Sequence, residues 1–185
     1  MIKITITKDN SPAAFTQAEC GINQKETLAF VPDVSPETPK KILFVCSGNT
    51  CRSPMAQAYF NYIGQAAGFY AVSAGIFPEE GTPISENAVK ALKNVGVFPC
   101  DSNPYTSHTS ARVSSELILG CDQIIGLTER HAMLLIQLFP QAATRICSFP
   151  NDISDPFGGG IDVYTKCLNE IILGINEMFP FLRHE

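Results

Sequence analysis

The sequence predicts an α/β fold in which a four-stranded parallel sheet is flanked by helices as a three-layer sandwich. Two observations predict it. From Lys41 onward, short apolar runs alternate with longer segments whose apolar residues recur at helical spacing. In addition, the first apolar run leads through a glycine-containing loop directly into a helix start, as in repeated βα units. Such units imply a sheet covered on both faces, with the functional site at the carboxyl ends of the strands.

The first strand is predicted over residues 41–46, an unbroken apolar run typical of a buried strand. Ser53 and Pro54 signal the first helix, because Ser can cap a helix and Pro suits its first position. The helical spacing extends to about residue 67, where Gly68 can end the helix.

A short apolar run predicts the second strand over residues 70–74, and a loop containing Pro and Gly follows it. Ser85 is expected to cap the second helix, whose apolar residues share one face before Gly96. A shorter helix is predicted over residues 110–119.

The last two units follow the same pattern. Residues 122–127 predict a third strand, and the helix over 129–138 stops before Pro140 because proline cannot continue a helix. A weaker fourth strand is predicted over 145–148. A long irregular loop then leads into a final helix over residues 161–179.

The composition excludes several functional classes. With 185 residues and a net charge of −5, the chain is an acidic protein without the basic face that nucleic acid requires. No apolar stretch is long enough to span a membrane, and the first residues alternate instead of forming a signal core, so a cytoplasmic location is expected. Seven scattered Cys argue against a disulfide framework and a zinc cluster, and no metal site is predicted.

Residues 1–39 differ from the rest and are interpreted as an N-terminal extension and linker ahead of a domain over 40–185. Residues 2–7 alternate apolar and polar side chains as a strand does, and residues 27–31 are a second strand candidate. We expect the segment to pack as an added strand on the sheet or over the rim of the site; a disordered tail is the alternative.

The segment from Cys46 to Ser53 has the residues of an oxyanion site. Loop N–H groups that lead into a helix N-terminus bind anions, because they point the same way as the positive end of the helix dipole. A thiol placed there is stabilised as the thiolate, the form that attacks. Arg52 can offer a planar fork to a tetrahedral oxyanion. The predicted phosphate-binding residues are Ser47, Gly48, Asn49, Thr50, Cys51, Arg52 and Ser53.

The string VCSGNTCRSPMA at residues 45–56 resembles the signature of the low-molecular-weight protein phosphatases. Two further blocks agree with it, Ser73-Ala74-Gly75 and Asp155-Pro156-Phe157-Gly158-Gly159. The resemblance covers about residues 40–182. It implies the low-molecular-weight phosphatase fold and a cofactor-independent protein phosphatase that forms a cysteinyl-phosphate intermediate.

Three residues are predicted to carry the reaction. Cys46 is the expected nucleophile, and Arg52 is expected to stabilise charge on the phosphoryl oxygens. The leaving atom needs a proton and a water must later lose one, which a single carboxylic acid can provide. Asp155 is the best candidate, because the proline after it forces it out of helical geometry and because it matches the family's Asp-Pro acid. The competing carboxylates are Asp152 and Asp162.

The resemblance also implies supporting roles. Ser53 is expected to donate to the thiolate, Asn49 to hold the shape of the loop, and His108 to support that loop. Cys51 can form a protective disulfide with Cys46 or serve as a small packing residue, and both readings stay open.

Thr50 and Phe157 are the residues that indicate which phosphorylated side chain is the substrate. In family members that act on phosphotyrosine, the position of Thr50 usually holds a bulky aliphatic residue and an aromatic pair follows the Asp-Pro. The pattern here, which extends to Tyr164, resembles the branch that removes phosphate from arginine in proteins. A threonine methyl excludes less than a larger side chain, and its hydroxyl can orient a guanidinium or a water. Phosphoarginine in proteins is therefore favoured, with phosphotyrosine as the alternative.

Two other functions are less compatible with the sequence. An arsenate reductase can share the fold and nucleophile but needs closely spaced shuttling cysteines, whereas Cys100 and Cys121 are far apart in the sequence. A non-catalytic oxyanion-binding or redox-sensing module is disfavoured by the presence of Asp155. The expected partner is a phosphorylated protein, phosphate or sulfate can occupy the loop, and neither nucleic acid nor a membrane is expected to bind.

Overall fold

The structure is a computed structural model that describes residues 40–182. Its four strands all pair in parallel, in the order β2-β1-β3-β4, which confirms the predicted sheet. They are β1 (Lys40–Cys46), β2 (Phe69–Gly75), β3 (Gln123–Gly126) and β4 (Ile146–Ser148). The predictions for residues 1–39, including the two strands and their packing against the sheet or the site, lie outside the described residues.

Helices cover both faces of the sheet. Successive side chains of β1 point to opposite faces, so Ile42 and Phe44 pack on one layer of helices while Leu43 and Val45 pack on the other. The first layer contains α1 (Arg52–Gly64), α2 (Glu86–Asn94) and α5 (Ile161–Met178), and the second contains α3 (Ser115–Leu119) and α4 (Glu129–Leu138). This arrangement confirms the three-layer sandwich. None of these helices is both long enough and apolar enough to cross a membrane.

The carboxyl ends of three strands meet at one edge of the sheet. Cys46, the last residue of β1, is level with Gly75 of β2, and Val45 is level with Gly126 of β3. A Cβ on Gly75 would lie 2.8 Å from the carbonyl oxygen of Ser47, which is closer than side chains pack. The absence of a side chain at Gly75 therefore lets the loop after β1 lie against the end of β2.

The predicted start of the first helix was wrong by two residues. Helix α1 begins at Arg52, and Cys51 occupies the position before it. Ser53 thus lies inside the helix and caps nothing; its hydroxyl lies against Cys46 Sγ instead. Ser85 does precede α2 as predicted, yet its hydroxyl donates to the Tyr164 hydroxyl and accepts no hydrogen bond from a helix N–H group.

The predicted helix over 110–119 was wrong in its first half. Residues 110–114 run beside the end of β2, where Gly75 N–H donates to the carbonyl of Ala111 and Val113 N–H donates to the carbonyl of Gly75. Those bonds hold the segment extended. Helix α3 starts only at Ser115, after Ser114 accepts a hydrogen bond from Leu117 N–H as its cap.

Candidate active site

Cys46 lies at the centre of the site, at the end of the central strand β1. The residue is only 2% exposed. Its Sγ accepts a hydrogen bond from the backbone N–H of Asn49 at 3.3 Å and lies 3.0 Å from the hydroxyl oxygen of Ser53. The Asn49 N–H group and the Ser53 hydroxyl group therefore both lie against the sulfur.

Asn49 holds the loop in shape. It has a φ of 57°, a left-handed backbone conformation that Asn tolerates better than most residues, and it is fully buried. Its side-chain amide donates to Ser53 Oγ and Ser73 Oγ, both at 2.9 Å, and accepts from Ala111 N–H at 2.9 Å. His108 Nε2 lies 2.9 Å from the Asn49 carbonyl oxygen. Ser53 and His108 thus both contact Asn49, in the loop that the sequence predicted them to support.

Arg52 is buried beneath the mouth of the site, with 6% of its surface exposed. Its Nη2 lies 2.7 Å from a carboxylate oxygen of Asp155 and 3.4 Å from Ser47 Oγ, and its Nη1 donates to the carbonyl of Ile153 at 3.4 Å. The other Asp155 oxygen accepts from Phe157 N–H at 3.2 Å. The predicted nucleophile loop and the predicted acid, which are far apart in the sequence, therefore share one site.

The competing carboxylates serve helix N-termini. Asp152 accepts a hydrogen bond from Glu129 N–H at 2.7 Å, in the first turn of α4, and Asp162 lies in the first turn of α5. Both positions favour a negative charge because of the helix dipole. Of these three carboxylates, Asp155 is the one in direct contact with Arg52.

A cavity of about 220 Å³ opens beside Cys46. The loop from Cys46 to Arg52 lines it together with Asp155, Phe157 and Phe77. Both aromatic rings are exposed, Phe77 by 68% and Phe157 by 79%. Sequence reasoning missed Phe77, since a single aromatic residue in an irregular loop carries no local signal. A larger groove of about 550 Å³ shares Thr50 and Phe157 with this cavity.

Cys51 lies against Tyr164. Its Sγ lies 3.1 Å from the Tyr164 hydroxyl, which also accepts a hydrogen bond from Ser85 at 3.0 Å. Burial, together with the contact to Cys51, raises the pKa of Tyr164 to about 12, so the phenol stays neutral. The six cysteines of the described residues are free thiols. The packing role of Cys51 is thus the one present in this structure.

His131 is the second residue that sequence reasoning missed. It lies in the first turn of α4 and is 6% exposed, and its ring reaches Ser47 of the loop with Nε2 at 3.0 Å from the hydroxyl oxygen. Burial and the adjacent charge of Arg52 lower its pKa to about 4. No residue type or spacing near His131 in the sequence points to the loop. Within residues 40–182, no group of three or more His, Cys, Asp or Glu is arranged to hold a metal ion.

Residues 41–185 match the model of the low molecular weight phosphotyrosine protein phosphatase family. The chain belongs to this family. It is therefore a cysteine-dependent protein phosphatase, and phosphorylated proteins are its substrates. The family expected from the motifs at Cys46 and Asp155 is confirmed.

Similar proteins include enzymes named for two different substrates. A protein-arginine-phosphatase of Geobacillus stearothermophilus is 34% identical over 154 residues, covering 80% of this chain and 99% of that protein. The solved structure of the arginine phosphatase YwlE from Geobacillus stearothermophilus is similar with a TM-score of 0.67 at 32% identity, covering 80% and 99% of the two chains. A low molecular weight protein tyrosine phosphatase from T. tengcongensis gives a TM-score of 0.69 at 31% identity, covering 77% and 99%.

Proposed function

We propose that this phosphatase hydrolyses phosphoarginine in proteins through a cysteinyl-phosphate intermediate. The observation that carries the proposal is Thr50. It is half-buried and lines both the cavity at Cys46 and the adjoining groove, so its side chain lies where the part of the substrate next to phosphorus must pass. A threonine leaves room for a guanidinium and supplies a hydroxyl to orient it. Similarity to proteins named protein-arginine-phosphatase supports the same preference.

In the first step, Cys46 Sγ attacks phosphorus while the bond from phosphorus to the guanidine nitrogen breaks. The phosphoryl oxygens take hydrogen bonds from the loop N–H groups and from the Arg52 guanidinium, which stabilises the charge spread over them. Because these oxygens take the Arg52 N–H group that contacts Asp155 in this structure, substrate binding turns the carboxyl group toward the leaving nitrogen. Protonated Asp155 then gives its proton to that nitrogen.

In the second step, a water attacks phosphorus and the bond from sulfur to phosphorus breaks. Asp155, now a carboxylate, accepts the proton of the water, so that the acid is restored and inorganic phosphate is released. The Cys46 thiolate returns to its contacts with Asn49 N–H and Ser53. We assign the acid and base role to Asp155 because its contact with Arg52 places it at the cavity that contains the sulfur.

We also propose the domain boundaries, the ligand of the loop, the class of partner and the location of the protein. Residues 40–185 would form the catalytic domain and residues 1–39 an extension, in agreement with the range of the family match. Phosphate or sulfate would bind in the loop as a product or as its mimic. The net charge of −5 disfavours nucleic acid as a partner. The need for a reduced thiol favours a cytoplasmic location.

A second candidate substrate is phosphotyrosine. The exposed rings of Phe77 and Phe157 both line the cavity at Cys46, and a flat aryl phosphate could lie between them. Aryl phosphates are therefore expected to be hydrolysed as well. A bulky aliphatic residue at position 50 is typical of enzymes that act on phosphotyrosine, whereas a smaller residue such as Thr50 favours phosphoarginine.

The test compares rates on phosphoarginine and phosphotyrosine peptides before and after Thr50→Ile. Because the added bulk narrows the cavity, we expect the preference for phosphoarginine to fall by about ten-fold. Thr165→Ile is the matched control, since Thr165 is also half-buried but lies on α5 outside both cavities. An unchanged preference in Thr50→Ile would remove the argument for phosphoarginine.

The roles of the two reacting groups are tested separately. Cys46→Ser should lower turnover by about 10³-fold or more, because a serine hydroxyl is a much weaker nucleophile than a thiolate. Asp155→Asn should lower kcat by about 100-fold, because it removes the proton donor. Full activity in either variant would refute the role assigned to that residue.

A further inference from the structure

Three polar side chains connect helix α4 to the loop from Cys46 to Arg52 through successive contacts. Thr128 precedes α4, and its Oγ1 accepts a hydrogen bond from His131 N–H at 3.2 Å. The same Oγ1 lies 2.8 Å from Nδ1 of the His131 ring, and Nε2 on the other side of the ring lies 3.0 Å from Ser47 Oγ. Both ring nitrogens are therefore engaged, although the reaction described above uses neither.

The fold brings His131 to this place through a close contact of the backbone. Gly126 ends β3, and a Cβ on it would lie 2.6 Å from the backbone nitrogen of Ala132 and 3.0 Å from His131 Cβ. Any side chain at Gly126 would push the first turn of α4 away from the strand end. The absence of one lets His131 reach the loop that follows the neighbouring strand.

The count of hydrogen-bond donors favours one tautomer of the ring. Burial and the charge of Arg52 lower the pKa of His131 to about 4, so near neutral pH one ring nitrogen donates and the other accepts. With Nδ1 as the acceptor, the Thr128 hydroxyl donates to it, and Nε2–H donates to Ser47 Oγ. Every polar hydrogen in the chain from Thr128 to His131 then has a partner. With the opposite tautomer, the Thr128 hydroxyl hydrogen loses its acceptor on the ring.

This tautomer has a consequence for Ser47. Its Oγ then accepts from His131 Nε2–H and, at 3.4 Å, from Arg52 Nη2. A hydroxyl has two acceptor sites and one hydrogen, so both acceptor sites are used and the hydrogen is left. Ser47 lines the cavity at Cys46, where that hydrogen can meet a phosphoryl oxygen. The opposite tautomer would turn the hydrogen toward His131 and present a lone pair to the anion.

We propose that His131 is a positioning residue that orients the Ser47 hydroxyl as an additional donor to the phosphoryl group. The inference rests on the proposed function, because it takes Cys46 and Arg52 as the phosphate site. His131 itself does not line the cavity at Cys46. Its effect passes through Ser47.

The test is a double-mutant cycle with His131→Phe and Ser47→Ala, read as kcat, KM and the inhibition constant of inorganic phosphate. His131→Phe should weaken phosphate binding and lower kcat/KM by about ten-fold, the size expected for a hydrogen bond to a charged group. In the Ser47→Ala background the same change should cost little more, because its target is gone. His131→Gln should recover much of the loss, since its amide N–H can replace Nε2–H.

A second measurement does not depend on whether a variant folds. Nitrogen-15 chemical shifts of the imidazole in the native protein distinguish the tautomers, and we expect Nε2 protonated and Nδ1 unprotonated at pH 7. Additive losses in the cycle, or a ring protonated at Nδ1, would overturn the inference even if Cys46→Ser abolishes turnover. Turnover that survives Cys46→Ser would instead refute the proposed function.

Discussion

Replacing Asn49 with Ala is expected to cost both stability and activity, because one buried side chain holds three parts of the molecule together. Its amide bonds Ser53 on α1, Ser73 on β2 and the backbone of Ala111 beyond them. Its backbone has a φ of 57°, which Ala adopts only with strain. Both effects can be estimated separately.

The three hydrogen bonds contribute about 1 kcal/mol each to stability, so their loss costs about 3 kcal/mol. The left-handed conformation adds roughly 1 kcal/mol for Ala and none for Gly. Asn49→Ala should therefore lower the free energy of unfolding by about 4 kcal/mol and Asn49→Gly by about 3 kcal/mol. Because Asn49 N–H donates to Cys46 Sγ, displacement of the loop should also lower kcat/KM by about 100-fold in both variants.

Urea unfolding followed by circular dichroism measures the free energies, and the rate on a phosphorylated peptide measures activity. Asn61→Ala is the control. Asn61 makes two hydrogen bonds that join α1 to Ala71 of β2, and it lies outside the cavity at Cys46. It should lose about 2 kcal/mol of stability and keep its activity. An Asn49→Ala variant within about 0.5 kcal/mol of the native protein would refute the reasoning.

Two further predictions concern stability. Because burial lowers the pKa of His131 from 6.5 to about 4, the unfolded chain binds a proton in this interval that the native ring does not. The free energy of unfolding should therefore fall as pH falls from 6.5 to 4. Urea titrations of His131→Gln should show a smaller dependence on pH. An unchanged dependence would contradict the lowered pKa of His131. Gly174→Ala would bring a Cβ into steric conflict with the ring of Phe149 and should cost roughly 2 kcal/mol in the same assay. Gly160→Ala is the control, because its Cβ would meet open space, and it should change stability by less than about 0.5 kcal/mol. Equal effects of the two substitutions on stability would show that the ring of Phe149 moves freely and would contradict the prediction.

The regular part of the fold could be predicted because its signals are local. The four apolar runs became the four strands, and the stop of α4 before Pro140 follows from a property of proline itself. The first strand, from Lys40 to Cys46, needs only a continuous apolar run, which is typical of a strand buried on both faces. Such patterns act within a few residues, so neighbours in the sequence are enough to identify them.

The predictions were wrong at positions where a hydrogen bond to a residue distant in the sequence outweighs the local preference. Ser53 and Ser85 are both good capping residues, but each hydroxyl is used by tertiary contacts, Ser53 with Cys46 and Ser85 with Tyr164. Residues 110–114 are not helical because hydrogen bonds to Gly75 at the end of β2 hold them extended. In each case a hydrogen bond across the fold replaced the local one.

The sequence by itself determined the order of strands and helices, the loop after β1 that begins at Cys46 and, through the motifs around Cys46 and Asp155, the family. Each of these depends on residues that are neighbours in the chain. Only the tertiary structure decided that Asp155 contacts Arg52, that Phe77 joins the cavity wall, and that His131 reaches Ser47. The physical reason is that the parallel sheet brings the loops after all four strands to one edge, and no pattern within any one loop records which side chains then meet.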